Sequence, residues 1–249
     1  MQHDTRINTL RAALVDALSM AREAIGSFPD TRNLYSMVFK GLTEAAHDHA
    51  SAILQLSGGE QTRSAKVLLR TLMEGWITTR YVLADDTKER ARSYVMKELT
   101  ETLGFLEKLR RLVNENPGEE HAVLASAGLS TLNDLDRRIT KQRGYIQPLK
   151  KRGLRSFPSV ADCARAVGLE LELTYRSVYG FLLSQQVHVR ARDTLTSLPN
   201  HAGDGDDLYE ILRTTLYLLI QMLGMTSEHF GRPERESLER FETLLQNPQ

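Results

Sequence analysis

Residues 68–83 read LLRTLMEGWITTRYVL, and the spacing of the apolar side chains in this stretch decides the fold class. They recur at intervals of three and four residues, which is the period of one face of an α-helix. The stripe consists of Leu68, Leu69, Leu72, Met73 and Trp76. The same spacing continues along most of the chain, and alternating patterns rich in Val, Ile and Thr, typical of strands, are absent. The sequence therefore predicts an all-α protein.

Turn and cap signals on either side of this stretch divide the chain into about eight to ten helices. Ser57-Gly58-Gly59 separates the helix that contains the quoted stretch from the preceding one, and the two should form an antiparallel hairpin. We expect one multi-helix bundle with long antiparallel helices, a single domain over residues 1–249. Gly144, Pro148 and Gly153 predict a basic loop inside it over residues 143–158.

The overall composition limits the class of protein. The chain has 249 residues with 32 basic and 32 acidic side chains, which excludes a uniformly basic nucleic-acid binder. The single cysteine, Cys163, excludes an intrachain disulfide, and the polar N-terminus lacks the apolar region of a signal peptide. The uncharged run 214–227 is too short to cross a hydrocarbon core of about 30 Å. We therefore expect a cytoplasmic protein without a membrane-spanning segment.

Charge is segregated in the middle of the chain. Residues 119–136 hold 4 acidic and no basic side chains, whereas residues 137–158 hold 8 basic and no acidic ones. The basic residues are Arg137, Arg138, Lys141, Arg143, Lys150, Lys151, Arg152 and Arg155. Tyr145 and Phe157 lie among them, a mixture suited to phosphate contact with base stacking. Three interpretations stay open: RNA or DNA contact, an acidic protein partner, or a solvated surface that neutralises neighbouring acidic helices.

Several motifs for metals and cofactors are absent. Gly58-Gly59 lacks the Gly-Lys-Ser/Thr ending of a phosphate-binding loop, and no second cysteine accompanies Cys163 for a zinc site. Glu44-x-x-His47 resembles one half of a di-iron site, but the second pair that such bundles need is missing. We expect neither a metal nor a cofactor.

Two helices carry rows of polar residues at four-residue spacing. One row lies in the quoted helix, and the other lies in a helix near residues 171–190. The first row is Lys66, Arg70, Glu74 and Thr78, and the second is Arg176, Gly180, Ser184 and His188, with Tyr175 and Tyr179 on an adjoining face. If the apolar faces of the two helices pack together, Arg70 and Glu74 meet Ser184 and His188.

Three segments carry a resemblance to a known family; they are the run Leu68 to Trp76, the following Tyr81-Val82-Leu83 and the later region from Tyr175 to His188. They resemble a bacterial all-helical family catalogued as a domain of unknown function. The resemblance spans roughly residues 51–190, and the family pairs an Arg-x-x-x-Glu helix with a downstream Ser-x-x-x-His helix. It implies a set of site positions, which are Arg70, Glu74, Tyr179, Ser184 and His188. Some members resemble HEPN-type stress and phage-defence proteins, but the Arg-x(4–6)-His motif of HEPN ribonucleases is absent here.

Two functions follow from these residues. In the first, the protein is a metal-independent RNA-processing effector: His188 is the general acid or base, Arg70 stabilises a phosphoryl oxygen and Glu74 orients a neighbouring group. Ser184 is the weaker candidate for a nucleophile because no oxyanion hole is visible. In the second, the same cluster fixes the packing of two helices in a non-catalytic interaction protein. A homodimer through one apolar helix face is compatible with both.

Overall fold

The computed structural model describes residues 2–28, 33–58, 61–85, 87–184, 204–230 and 235–246. These residues form ten helices and no strand, which confirms the predicted all-α multi-helix fold. The helices are α1 (Gln2–Gly26), α2 (Leu34–Leu56), α3 (Thr62–Ala84), α4 (Thr87–Glu115), α5 (Glu120–Ser126), α6 (Leu132–Lys150), α7 (Val160–Val167), α8 (Leu169–Ser184), α9 (Asp204–Phe230) and α10 (Arg235–Gln246). The quoted stretch lies entirely within α3.

The chain divides into two compact units. The first comprises Met1–Asp85 and Ser159–Gln249, and the second comprises Asp86–Pro158. The first therefore contains α1 to α3 and α7 to α10, and the second contains α4 to α6. The single domain over residues 1–249 stays a prediction, because compact units of one chain can fold together or separately.

Helix α3 is central to the first unit. It packs against α2, α7, α8 and α9, and the contact with α2 fits the predicted hairpin. Leu72, Met73 and Ile77 of α3 are almost completely buried. Burying large aliphatic side chains of this kind stabilises the fold by roughly 1.5–3 kcal/mol each. The stripe seen in the sequence is therefore the face of α3 that forms the core.

Helix α9 contains the uncharged run 214–227. Leu216 and Leu219 of this run are fully buried, and α9 packs against α1, α2, α3 and α10. Thr215 is buried as well, and its hydroxyl donates to the carbonyl oxygen of Ile211 at 2.7 Å, so the polar group is satisfied within the helix. Among the described residues, no helix is long and apolar enough to cross a membrane.

The second unit has its own apolar core. Helix α4 packs against both α5 and α6, and seven buried side chains from these helices and their connections form one cluster. The cluster consists of Leu106, Leu109, Val113, Leu124, Leu129, Leu135 and Ile139. Thr131 is the N-cap of α6, and its hydroxyl accepts a hydrogen bond from the backbone N–H of Asp134 at 3.1 Å. Such an N-cap typically stabilises a helix by about 1 kcal/mol.

The basic loop predicted over residues 143–158 is wrong in its first half. Residues 143–150 continue α6, and Pro148 lies inside the last turn of that helix. Ile146 is buried and prolongs the apolar face of Leu135 and Ile139, so packing outweighs the helix-breaking tendency of Gly and Pro. The helix ends at Lys150, and the turn that follows it contains Gly153, whose φ of 66° favours glycine.

Candidate functional site

The Arg-x-x-x-Glu pair of the sequence analysis forms an ion pair on α3. The Nε atom of Arg70 donates to Oε1 of Glu74 at 2.9 Å, and both side chains are 30% exposed. Leu69 and Met73, which flank the pair in sequence, are buried. The pair therefore lies at the edge of the apolar face of α3, where solvent reaches it and where a guanidinium can be held in one orientation by its carboxylate.

The two ends of the same row have a different environment. Lys66 is only 5% exposed, and its Nζ donates to Oδ2 of Asp207 on α9 at 2.6 Å. Thr78, at the other end, is also buried. The polar row of α3 thus has three parts. Lys66 forms an ion pair with α9, Thr78 is a buried hydroxyl, and the accessible pair of Arg70 and Glu74 lies between them.

The downstream half of the predicted site lies on or beyond α8. This helix packs against α3, as the prediction requires. Tyr179 and Ser184 belong to the helix, but their side chains lie outside the described part of the structure, and His188 lies outside the described residues altogether. The meeting of Ser184 and His188 with Arg70 and Glu74 stays a prediction.

The eight basic residues of 137–158 are all exposed, and all belong to the second unit. Arg138, Lys141 and Tyr145 follow one side of α6 at spacings of three and four residues, while Arg143 and Lys150 lie on the opposite side. The basic side chains therefore line both flanks of α6 instead of forming a single stripe. We call the exposed side chains of residues 137–155 the α6 surface.

Most of the cations on the α6 surface lack a carboxylate partner. Arg137 pairs with Asp134 at 2.8 Å, and Arg143 pairs with Glu107 at 2.8 Å. Within the described part of the chain, the others have no carboxylate at ion-pair distance; they are Arg138, Lys141, Lys150, Lys151, Arg152 and Arg155. Because exposed ion pairs are weak, even the two paired arginines remain accessible to a stronger anionic ligand.

Only one of the two aromatic residues in the basic segment is available for stacking. Tyr145 is 52% exposed, with Nζ of Lys141 at 5.8 Å from its ring centroid. Phe157 is 8% exposed and packs edge-on against Tyr94 at 5.2 Å, so the expectation that it stacks on bases is wrong. Its ring helps to desolvate Tyr94, and burial together with the neighbouring Glu98 raises the pKa of that phenol to about 12.

The first unit contains a cavity of about 310 Å³ that no sequence pattern predicts. It lies between α3, α7 and α9 and is lined by Arg80, Leu83, Ala84, Val167, Met225, Glu228 and His229. Arg80 and His229 come from helices that are far apart in sequence. A motif with an arginine and a histidine on one helix does not include such a pair. No sequence periodicity connects the two helices either.

His229 lies in the last turn of α9 beside an aromatic cluster. Its side chain is exposed, but its ring centroid lies 5.6 Å from Tyr35, 5.6 Å from Phe39 and 5.2 Å from Phe230. This desolvation lowers the pKa of the imidazole below its ordinary value. At neutral pH the ring is therefore mainly uncharged and can both donate and accept a hydrogen bond.

We expect the stability of the protein to fall as the pH is lowered below about 6.5, in part through His229. Because the pKa of His229 is lower in the folded chain, the unfolded chain binds a proton first. The contribution of His229 to the free energy of unfolding is fully present above pH 6.5. It is lost as the pH falls through the pKa that His229 has in the folded chain. His229→Gln should make the free energy of unfolding less dependent on pH, as measured by urea unfolding at pH values on both sides of 6.5. Gln147→Ala, at an exposed position on α6 without a titratable side chain, should leave the pH dependence as it is, and an equal pH dependence in all three proteins would contradict the assignment.

Metal ligands are not grouped in the described residues. No set of three or more His, Cys, Asp and Glu side chains lies close enough there to hold a metal ion. In the Glu44-x-x-His47 segment, Nδ1 of His47 lies 3.1 Å from Oδ1 of the adjacent Asp48. Cys163 is a buried free cysteine in α7.

These features define an all-helical protein with an accessible arginine–glutamate pair on α3 and a basic surface on α6. A family of unknown function, DUF5677, matches residues 35–206, which is more than half of the chain, and the chain belongs to this family. The predicted membership of a family of unknown function is thereby confirmed, and the matched range includes both Arg70 and the α6 surface. Neither the curated proteins nor the solved structures contain a significant match to the chain.

Proposed function

We propose that the protein is an RNA-binding effector that processes RNA without a metal ion, in a stress or phage-defence setting. The observation that carries this proposal is the α6 surface, where six exposed cations have no carboxylate partner among the described residues and the ring of Tyr145 is exposed as well. This combination suits the binding of single-stranded nucleic acids. The cations neutralise phosphates, and an aromatic ring stacks on a base of any identity.

The proposed reaction uses the predicted site on the first unit. The 2′-hydroxyl of the RNA attacks the adjacent phosphorus, and the bond from phosphorus to the 5′-oxygen of the next nucleotide breaks. His188 accepts the proton of the attacking hydroxyl or donates a proton to the leaving oxygen, because an imidazole exchanges protons near neutral pH. Arg70 stabilises the negative charge that grows on the phosphoryl oxygens, and Glu74 fixes the orientation of its guanidinium through the 2.9 Å contact. Ser184 is the weaker candidate for a nucleophile, and Tyr179 belongs to the same predicted set of site residues. A distant relationship to HEPN-type proteins is part of this proposal.

The RNA-binding proposal is tested by neutralising the unpaired cations of the α6 surface. We expect Arg138→Gln, Lys141→Gln, Lys151→Gln and Arg152→Gln, combined in one variant, to raise the Kd for a single-stranded RNA at least about tenfold at low salt. The logarithm of the association constant falls linearly with the logarithm of the salt concentration. The slope of this line should become shallower by about 0.7 for each phosphate that the variant no longer neutralises. Fluorescence anisotropy with a labelled RNA oligonucleotide, repeated over a salt series, measures both quantities.

The matched control replaces two exposed arginines of the first unit, Arg176→Gln and Arg213→Gln. Both arginines already pair with a glutamate of their own helix, Glu172 and Glu210 respectively. This variant should bind RNA as the parent protein does. The proposal is wrong if the parent protein does not bind RNA at low salt, or if the control variant loses as much affinity as the α6 variant.

A second candidate function is a non-catalytic interaction protein whose basic segment docks an acidic partner. It is favoured by the ion pair of Arg70 and Glu74, whose charges already neutralise each other within α3. In this case the α6 surface should prefer an acidic polypeptide such as polyglutamate to RNA at equal charge. The predicted homodimer is compatible with either candidate function and is checked by light scattering of the purified protein.

A further inference from the structure

We propose that the cavity between α3, α7 and α9 binds a small zwitterionic molecule, with its oxyanion on Arg80 and its ammonium group on Glu228. The site is independent of the proposed RNA-binding function. It is formed entirely by the first unit, whereas the α6 surface belongs to the second.

Arg80 is positioned as an anion anchor. Its guanidinium lies over the ring of Trp76, with the central carbon 5.5 Å from the ring centroid, and Trp76 itself is buried. The stacking holds the guanidinium in place without using its N–H groups. Arg80 forms no ion pair or hydrogen bond with any residue that the structure describes. Its forked donors therefore remain available to a carboxylate or phosphate in the cavity.

Glu228 supplies the opposite charge in the same cavity. Its exposed carboxylate has no cation at ion-pair distance among the described residues, and Arg80, although it lines the same space, does not pair with it. A cation and a carboxylate that line one cavity without forming an ion pair are complementary to a ligand that carries both charges. A simple dianion is disfavoured by Glu228, and a simple amine is disfavoured by Arg80.

The remaining lining sets the size and polarity of the ligand. A volume of about 310 Å³ is at the lower end for small-molecule sites, which suits a compound of amino-acid size. Leu83, Val167 and Met225 give the middle of the cavity an apolar wall for a short methylene chain. His229, mainly uncharged at neutral pH, adds a hydrogen-bonding group without a second positive charge.

The binding test uses isothermal titration calorimetry on the full chain with defined probes. The carboxylate probes are γ-aminobutyrate and ε-aminocaproate, the phosphate probe is O-phosphoethanolamine, and the single-charge controls are butyrate and butylamine. We expect at least one zwitterion to bind about tenfold more tightly than either single-charge compound, since each charge-assisted hydrogen bond contributes about that much. The probe that binds best distinguishes a carboxylate from a phosphate ligand. If no zwitterion exceeds the single-charge compounds, the proposal is overturned.

Variants assign the affinity to the two charges. Arg80→Gln and Glu228→Gln should each weaken the best probe about tenfold, and Arg80→Lys should be intermediate because it keeps the charge but loses the fork. Glu228 is exposed, so its variant tests the site even if the Arg80 variants unfold. The matched control, Arg213→Gln with Glu210→Gln, removes an exposed ion pair of α9 and should bind the probe as the parent does. Unchanged affinity in Glu228→Gln overturns the proposal, as does a loss of RNA binding in Arg80→Gln equal to that of the α6 variant.

Discussion

Replacing Trp76 with alanine should lower the free energy of unfolding by about 3–5 kcal/mol, the range for truncating a large buried aromatic side chain. Trp76 is 2% exposed and lies on the face of α3 that forms the core of the first unit. Its ring packs edge-on against Tyr217 of α9 at 6.2 Å and lies beneath the guanidinium of Arg80. Alanine would leave a cavity at the contact of two central helices and remove the support of Arg80.

Urea unfolding followed by far-UV circular dichroism measures this loss, because the variant lacks the only tryptophan of the chain. Trp76→Phe should cost much less. It keeps most of the ring, and it removes an indole Nε1 that is buried without a protein acceptor in the described part of the chain. Leu169→Ala, at an exposed position on α8, is the control and should change stability by less than about 0.5 kcal/mol. A loss of less than about 1 kcal/mol in Trp76→Ala would contradict the central place of α3.

The second large effect is expected at the predicted catalytic group. If the protein processes RNA as proposed, Arg70→Gln and His188→Ala should each reduce the rate of RNA cleavage by about 10²–10⁴-fold. Arg70→Gln should cost only about 0.3–0.5 kcal/mol of stability, because the pair with Glu74 is a partly exposed contact within one helix. Single-turnover cleavage of a labelled RNA, measured beside thermal unfolding of each variant, separates the two quantities.

Arg176→Gln is the matched control for Arg70→Gln. Arg176 also pairs with a glutamate four residues away, Glu172 on α8, and its side chain is exposed. This variant should keep full cleavage activity. If Arg70→Gln instead retains the parent rate and His188→Ala only lowers the melting temperature, the cluster serves helix packing, and the non-catalytic interaction protein becomes the better proposal.

Helix positions were predictable wherever the local pattern was strong. The stripe from Leu68 to Trp76 predicted α3 and its buried face, because a helix places residues three and four apart on one side whatever they pack against. The prediction failed at residues 143–150, where Gly144 and Pro148 indicated a loop. Burial of Ile146 favours the helical conformation of that segment, and burial depends on parts of the chain that are distant in sequence.

The sequence by itself determined the helical fold class, the segregation of charge into residues 137–158 and the spacing of Arg70 and Glu74 on one helix. Only the tertiary structure decided that Tyr145 is exposed while Phe157 is buried, and that Arg80 and Glu228 line one cavity. The physical reason is the distance along the chain over which each property arises. Periodicity and charge runs are properties of neighbours along the chain, whereas burial, unpaired charge and cavity shape arise where separate helices meet.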